Sequence, residues 1–292
     1  MSTADRLKNY VKAVSAVALG KAPAGRNLTV FPGDVFLVSY LRSGSTWTRF
    51  LFGNLVHSNE AVTFANVDRL VPSIYALPDR TLRSLPRVMK SHECFDPRYR
   101  RVIHLVRDPR DVAVSFYHYN LKTRVLPDGY PMEDFVVKWM NADIVPYADR
   151  LGTWEEHTLS WLRLRSNDPN YCLIRYEDLL ANPTGELNKV VPLLGVEAAE
   201  QRILRAIELS SATQMRSMEA TQSEQWVTTK DSRKDIPFVR EAKAGGWRKQ
   251  LPEESVRKIE TAWGGLMREL GYALSASEQR PAAQVEKPYA TR

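Results

Sequence analysis

The chain of 292 residues contains only two cysteines, Cys94 and Cys172, and they lie far apart without zinc-binding spacing. This scarcity excludes a disulfide framework and favours two reduced thiols, as expected in a reducing cytoplasm. His, Asp and Glu also form no cluster with the spacing of metal ligands. The sequence therefore predicts a cytoplasmic protein that needs no metal.

Long apolar runs are also missing, since no stretch approaches the ~20 apolar residues that cross a membrane. The short run Ala13 to Leu19 follows several basic residues, as in a signal peptide, but Asp5 interrupts the basic region. We expect a surface helix over residues 1–20, within an N-terminal helix and connector over 1–27. One domain is predicted over 28–274, and a disordered tail over 275–292.

The charge has no long block of one sign, although 41 basic and 34 acidic residues give a net charge of +7. A positive chain favours an anionic ligand, a nucleic acid or a membrane surface as partner. The basic residues are scattered, without a stripe of interleaved aromatics, which argues against nucleic acid. A small, highly charged ligand fits this distribution better.

One stretch, FLVSYLRSGSTW from Phe36 to Trp47, combines a short buried strand, a polar loop with Gly44 and a helical pattern. In that order the free N–H groups of the first helical turn point into the loop and attract an anion. Arg42 and three hydroxyls crowd the same loop, which predicts a phosphate or sulfate cradle. The alternative is a Ser/Gly turn whose hydroxyls only cap the helix.

Further strands and helices alternate along the chain, which predicts an α/β fold with a central parallel sheet flanked by helices. Strands are predicted at 87–90, 102–106 and 171–176, and helices at 46–56, 132–140, 153–165, 186–195, 198–209 and 253–270. His104, inside an apolar strand, is predicted to be a core residue. The polar stretch 219–246 has little periodicity, and such a long irregular segment is usually functional or mobile.

Three polar groups follow predicted strands, at 42–47, 90–92 and 107–115. Asp108 can cap the helix after the third strand, and Pro109 suits its first position. Ligands bind parallel sheets at the carboxyl ends of strands. The three groups are therefore expected to meet in one site.

These motifs resemble, in order, those of the cytosolic-type sulfotransferases. YLRSGSTW is similar to their phosphosulfate loop, RVIHLVRDPRDVAVSFYHY to their 3′-phosphate segment, and AGGWRKQL to their C-terminal Gly-x-Trp-Lys segment. The chain is identified as a bacterial-like member of that family. This implies a P-loop-like fold, with 3′-phosphoadenosine 5′-phosphosulfate (PAPS) as donor and adenosine 3′,5′-bisphosphate (PAP) as product.

The resemblance also implies roles for individual residues. Residues implied in donor binding are Arg42, Ser43, Gly44, Ser45, Thr46, Trp47, Arg107, Ser115, Tyr176, Ser211, Met215, Arg240 and Gly245. His92 would be the general base, with Lys90 and Arg42 offsetting charge on the transferred and leaving groups. The acceptor would be a small-molecule alcohol, phenol or amine, bound by 59–86, 120–145 and 219–243. Tyr75, Phe116 and Tyr117 hint at an apolar or aromatic alcohol.

Several positions depart from the family pattern. Arg42 replaces a lysine, Ala212 a stacking phenylalanine, and Glu241-Ala242 a Lys-Gly pair. The C-terminal dimer motif is poorly matched, which leaves a homodimer open. Two alternatives from other classes are a kinase with a variant loop, with Asp108 as Mg²⁺ ligand, and a non-catalytic nucleotide-binding module.

Overall fold

The computed structural model describes residues 22–197, 199–226 and 228–275. The predicted helix over residues 1–20 lies outside the described residues, and so does the predicted tail beyond Ser275. The remaining chain has the predicted α/β architecture. Residues Ala24 and Gly25 join this body, since their N–H groups donate to the carbonyl oxygens of Leu77 and Ile74, each at 2.9 Å.

The four strands of the described residues form one parallel sheet. In chain order they are β1 (Val35–Ser39), β2 (Val88–Ser91), β3 (Arg101–Val106) and β4 (Tyr171–Arg175). The spatial order is β2-β1-β3-β4, so β1 pairs with both β2 and β3. All four strands lie where the apolar runs predict them, and their carboxyl ends share one edge.

Both faces of the sheet are covered, as expected for apolar strands in a parallel sheet. Val35 and Leu37 pack with Ile103 and the helix that follows β1 on one face. Phe36 and Val38 alternate with them and pack with Trp161 on the other face. His104 is completely buried, which confirms it as a core residue.

Thirteen helices of the described residues surround the sheet. In chain order, from α1 to α13, they are Ser45–Val56, Val67–Leu70, Asp79–Leu82, Pro109–Lys122, Met132–Met140, Ala148–Leu151, Trp154–Arg165, Tyr176–Ala181, Pro183–Leu194, Glu200–Leu209, Ala212–Gln222, Trp247–Gln250 and Glu253–Glu269. A single 3-10 turn precedes them at Gly25–Asn27. None of these helices is long and apolar enough to cross a membrane.

The helix α11 differs from the sequence prediction, which treated 219–246 as irregular throughout. The Ser211 hydroxyl accepts from the Gln214 N–H and caps the helix, which continues to Gln222. Met215 is buried against the core and stabilises the helix despite its polar composition. The described residues between 223 and 246 are irregular, as predicted, and Phe238 from this part is buried in the same cluster.

Candidate active site

A cavity of about 590 Å³ opens at the carboxyl edge of the sheet. The three predicted polar groups, after β1, β2 and β3, meet there as expected from the parallel topology. The predicted site residues in its wall are Arg42, Gly44, Ser45, Thr46, Trp47, Lys90, His92, Arg107, Ser115, Tyr176, Ser211, Met215 and Arg240. Ser43 and Gly245 do not line the cavity.

The loop after β1 has the form of an anion cradle. The helix α1 begins at Ser45 without a side-chain cap, so its first N–H groups face the loop. Gly44 has a φ of 101°, and a Cβ there would lie 2.5 Å from the Tyr176 ring. The Ser43 Oγ is buried without a hydrogen-bond partner among the described residues. The close approach of Tyr176 therefore requires glycine at position 44. The unpaired Ser43 hydroxyl and the free N–H groups of α1 fit an anion bound in the loop.

Three arginines converge on the cavity. The Arg42 Nε donates to the Ser115 Oγ at 3.3 Å, and its guanidinium lies 4.5 Å from the Tyr119 ring centroid. Burial, with Arg107 and Arg240 nearby, lowers the pKa of Arg42 to about 10. Like charges held together in this way favour an anion with more than one charged group.

Arg107 comes directly after β3, where Asp108 caps the helix α4 through the Arg110 N–H at 2.9 Å, as predicted. Its guanidinium lies 4.3 Å from the Tyr176 ring centroid. The neighbouring carboxylate of Asp111 accepts from the Gly245 N–H at 2.7 Å. The Gly245 N–H is therefore occupied by the protein, although the resemblance implies a donor contact at this residue.

Two aromatic side chains in the cavity wall pack against each other. The rings of Trp47 and Tyr176 meet edge to face with centroids 5.6 Å apart. The indole Nε1 of Trp47 donates to the Ser210 carbonyl at 3.0 Å, which fixes its orientation. Such a wall, beside Ser211 and Ala212, suits a flat ring such as a nucleobase.

His92 lies in the cavity wall with its imidazole held by β1. Its Nδ1 is 2.6 Å from the Ser39 carbonyl oxygen. A carbonyl oxygen only accepts, so Nδ1 carries the proton and Nε2 is left with a free lone pair. Burial, with Lys90 nearby, keeps the pKa of His92 well below its usual value. His92 is thus a neutral imidazole able to accept a proton.

Lys90 precedes His92 by two residues and also lines the cavity. Burial, with Arg49 nearby, lowers its pKa to about 7.

Arg49 itself is buried and donates to the Asp68 Oδ1 at 2.6 Å, while Trp226 Nε1 donates to Oδ2 at 3.0 Å. Arg49 and Asp68 were not predicted as site residues, although an arginine within the apolar α1 signals a buried partner.

The expected acceptor segments contribute unequally to the cavity. Ser73, Tyr75 and Ala76 line it, and so do Trp226, Thr228 and residues 238–243. None of the residues 120–145 lies in its wall, so a role of that segment in acceptor binding stays a prediction; Pro146 and Tyr147 do lie in the wall. Tyr147 has a positive φ of 57° and is the N-cap residue of the short helix α6.

Of the aromatics predicted near the acceptor, Tyr75 and Phe116 line the cavity, whereas Tyr117 does not. The Tyr117 hydroxyl instead donates to the Tyr130 carbonyl at 2.6 Å. The Tyr117 ring packs edge to face against Phe135, with ring centroids 5.4 Å apart.

The family model for the sulfotransferase domain matches residues 32–271 of this chain. The chain belongs to the sulfotransferase family. It is 29% identical to sulfotransferase 1E1 of Bos taurus over 238 residues, which cover 74% of this chain and 77% of that protein. Sulfotransferase 1A1 of Mus musculus is 25% identical over 260 residues, covering 83% and 87%.

Solved structures agree with this assignment at the level of the fold. The mouse sulfotransferase SULT7A1 complexed with PAP has a TM-score of 0.68 at 22% identity and covers 87% of this sulfotransferase and 91% of that chain. Retinol dehydratase in complex with androsterone and inactive cofactor PAP has a TM-score of 0.65 at 22% identity, covering 84% of each chain. The kinase and the non-catalytic module are therefore set aside, while a bacterial-like origin stays a prediction.

Proposed function

We propose that this sulfotransferase transfers the sulfuryl group of PAPS to a hydroxyl or amine of a small-molecule acceptor, with His92 as general base. The observation that carries the proposal is the shared cavity. It brings an anion-binding loop, three arginines and a neutral imidazole to one edge of the sheet. A donor with an anionic group at each end and a reacting hydroxyl or amine need these groups side by side.

The donor would be held at its two ends. The N–H groups at the start of α1, with the hydroxyls of Ser43, Ser45 and Thr46, would hold the phosphosulfate. Arg107, Ser115 and Arg240 would hold the 3′-phosphate, because a guanidinium can bind two phosphate oxygens. The adenine would lie against Trp47 and Tyr176, with Ser211 and Met215 behind it. The donor, when bound, supplies the activated sulfuryl group.

The protein's part in the reaction is to move one proton and balance charge. The His92 Nε2 would take the proton that the acceptor loses as its oxygen or nitrogen bonds to sulfur, while in line with this attack the bond from sulfur to the bridging oxygen breaks and PAP leaves. An anionic donor beside Lys90 and Arg42 raises the pKa of His92 from its depressed value, which strengthens the base when the donor is in place. Lys90 and Arg42 offset the charge that develops on the transferred and leaving groups.

The test measures transfer of labelled sulfate to a panel of alcohols, phenols and amines. His92→Ala should lower turnover by about 10²–10⁴-fold, the usual contribution of a positioned base. His57→Ala is the matched control, since the His57 Nε2 is hydrogen-bonded to the Leu70 carbonyl at 3.0 Å and the residue lies outside the cavity wall. Turnover that survives in His92→Ala would remove the base assignment.

Three broader expectations stay proposals. Both cysteines are free thiols, which supports a cytoplasmic location. We propose that the reaction needs no metal, and assaying transfer after chelation with EDTA tests this. The chain can be a monomer or a homodimer, and measurement of its molecular mass in solution distinguishes the two.

A further inference from the structure

Tyr75 lies beside the proposed base. Its ring is nearly parallel to the His92 imidazole, with an interplanar angle of 14° and centroids 6.0 Å apart. The Tyr75 hydroxyl accepts from the His92 backbone N–H at 3.1 Å and donates to the Glu93 Oε1 at 3.0 Å. The same tyrosine also lines the cavity.

Glu93 connects Tyr75 to the N-terminal 3-10 turn. Its carboxylate is 1% exposed, and Oε2 accepts from the Arg26 Nε. The turn that carries Arg26 is tied to the Tyr75 loop by the hydrogen bond between the Gly25 N–H and the Ile74 carbonyl. Arg26, Glu93 and Tyr75 thus form one continuous chain of hydrogen bonds that ends at His92.

We propose that Tyr75 is a positioning residue for the His92 base, and that Glu93 and Arg26 act through Tyr75. This inference rests on the base role proposed above. His92 is then held at two points, its ring by Ser39 and its backbone by Tyr75. A shift of about 1 Å in a reacting group can cost about 10²-fold in rate.

The surroundings of His92 make a shift in its position measurable. The groups that act electrostatically on its imidazole are Lys90, His157 and Arg42, and all three disfavour its protonation. Burial is the largest cause of its low pKa. Loss of the Tyr75 hydroxyl leaves the His92 backbone N–H without its partner. Water that replaces the hydroxyl reduces the desolvation of the nearby imidazole, so we expect the pKa of His92 to rise.

The experiment compares Tyr75→Phe with Tyr171→Phe across a pH series. Tyr171→Phe is matched, because the Tyr171 hydroxyl is bonded to the Nδ1 of buried His104 at 2.7 Å but lies outside the cavity wall. Tyr75→Phe should lower kcat about tenfold, less than the full cost of a displaced base. The KM for PAPS should stay unchanged, and the acid limb of kcat/KM should move to higher pH.

A merely structural role would reduce the active fraction equally at every pH. An unshifted acid limb in Tyr75→Phe, or a kcat equal to that of Tyr171→Phe, would overturn the proposal. Glu93→Ala adds a second test, because an effect exerted through Tyr75 should disappear in the Tyr75→Phe background. If Glu93→Ala and Tyr75→Phe lower kcat additively, Glu93 does not act through Tyr75.

His92→Ala separates this proposal from the proposed function. Full activity in His92→Ala would mean that the base assignment itself is wrong. Lost activity in His92→Ala, together with an unchanged Tyr75→Phe, would mean that only the positioning role is wrong.

Discussion

Lys90 and His92 come from one short stretch of chain, and burial disfavours the charged form of both. The charged Lys90 destabilises the folded protein without a ligand, because it is desolvated and lies near the Arg49 guanidinium. The same arrangement attracts an anion. Residues of a functional site often lower the stability of the fold in this way.

We therefore predict that Lys90→Met stabilises the free protein at neutral pH while lowering turnover about 10²-fold, as removal of one charge-stabilising donor does. The folded pKa of Lys90, about 7, lies below its ordinary value of 10.5. Between these values the unfolded chain binds more protons, so this group makes stability rise with pH. Below pH 7 its destabilising effect is complete.

Melting curves between pH 6 and 10 check this prediction. The rise in Tm with pH should be shallower in Lys90→Met than in the parent protein. Lys258→Met, at a half-exposed lysine on α13 beside Glu254, should leave the slope as it was. A Lys90→Met protein that is less stable at neutral pH contradicts the burial argument.

At the scale of elements, the irregular stretch from residue 228 to 246 contributes residues 238–243 to the cavity wall and is tied to the helix α4. The Lys122 Nζ, near the end of α4, donates to the carbonyl oxygens of Arg233 at 2.8 Å and Ile236 at 2.6 Å. Phe238 from this stretch lies 5.0 Å from the Arg42 guanidinium. The position of the stretch is thus coupled to a cation of the site.

Lys122→Met should loosen this stretch, because two hydrogen bonds from a charged donor are lost and each contributes about 1.5–3 kcal/mol. We expect the KM for PAPS to rise about tenfold, since a tenfold change corresponds to only about 1.4 kcal/mol of that loss. Limited proteolysis between residues 228 and 246 should accelerate in parallel.

Lys189→Met is the control for this prediction, since Lys189 is exposed and pairs with Glu186 on α9. It should change neither the KM for PAPS nor the cleavage pattern. Unchanged proteolysis in Lys122→Met would show that Lys122 does not hold the stretch.

At the scale of the whole molecule, three separate elements supply the arginines of the site. Arg42 lies in the loop after β1, Arg107 follows β3 directly, and Arg240 lies in the irregular stretch from residue 228 to 246. Folding brings them together without a ligand, and burial lowers the pKa of Arg42 and Arg240. An anion that bridges these elements should therefore stabilise the entire fold.

PAP at a hundredfold excess over its Kd should raise the free energy of unfolding by about 2.7 kcal/mol. ATP lacks the 3′-phosphate and should give a much smaller shift, which melting curves would show. Gly44→Ala should abolish the PAP effect, because its Cβ collides with Tyr176. Gly265→Ala should keep it, since a Cβ there meets nothing within 4 Å. An equal shift with ATP would contradict the proposed donor.

The sequence by itself determined the elements and most of the site. Apolar runs, the Asp108 cap and Gly44 act on neighbours along the chain, so their effects are local and predictable. Parallel topology then brings strand ends together, which is why the groups around Arg42, His92 and Arg107 were expected to meet.

Only the tertiary structure decided what depends on contacts between distant residues. The proton on His92 Nδ1 follows from Ser39, which is 53 positions away. The Gly245 N–H is taken by Asp111, and Tyr75 reaches His92 across 17 positions. The helix α11 forms because Met215 finds a core to pack against. Such contacts arise from packing, and no spacing rule along the chain encodes them.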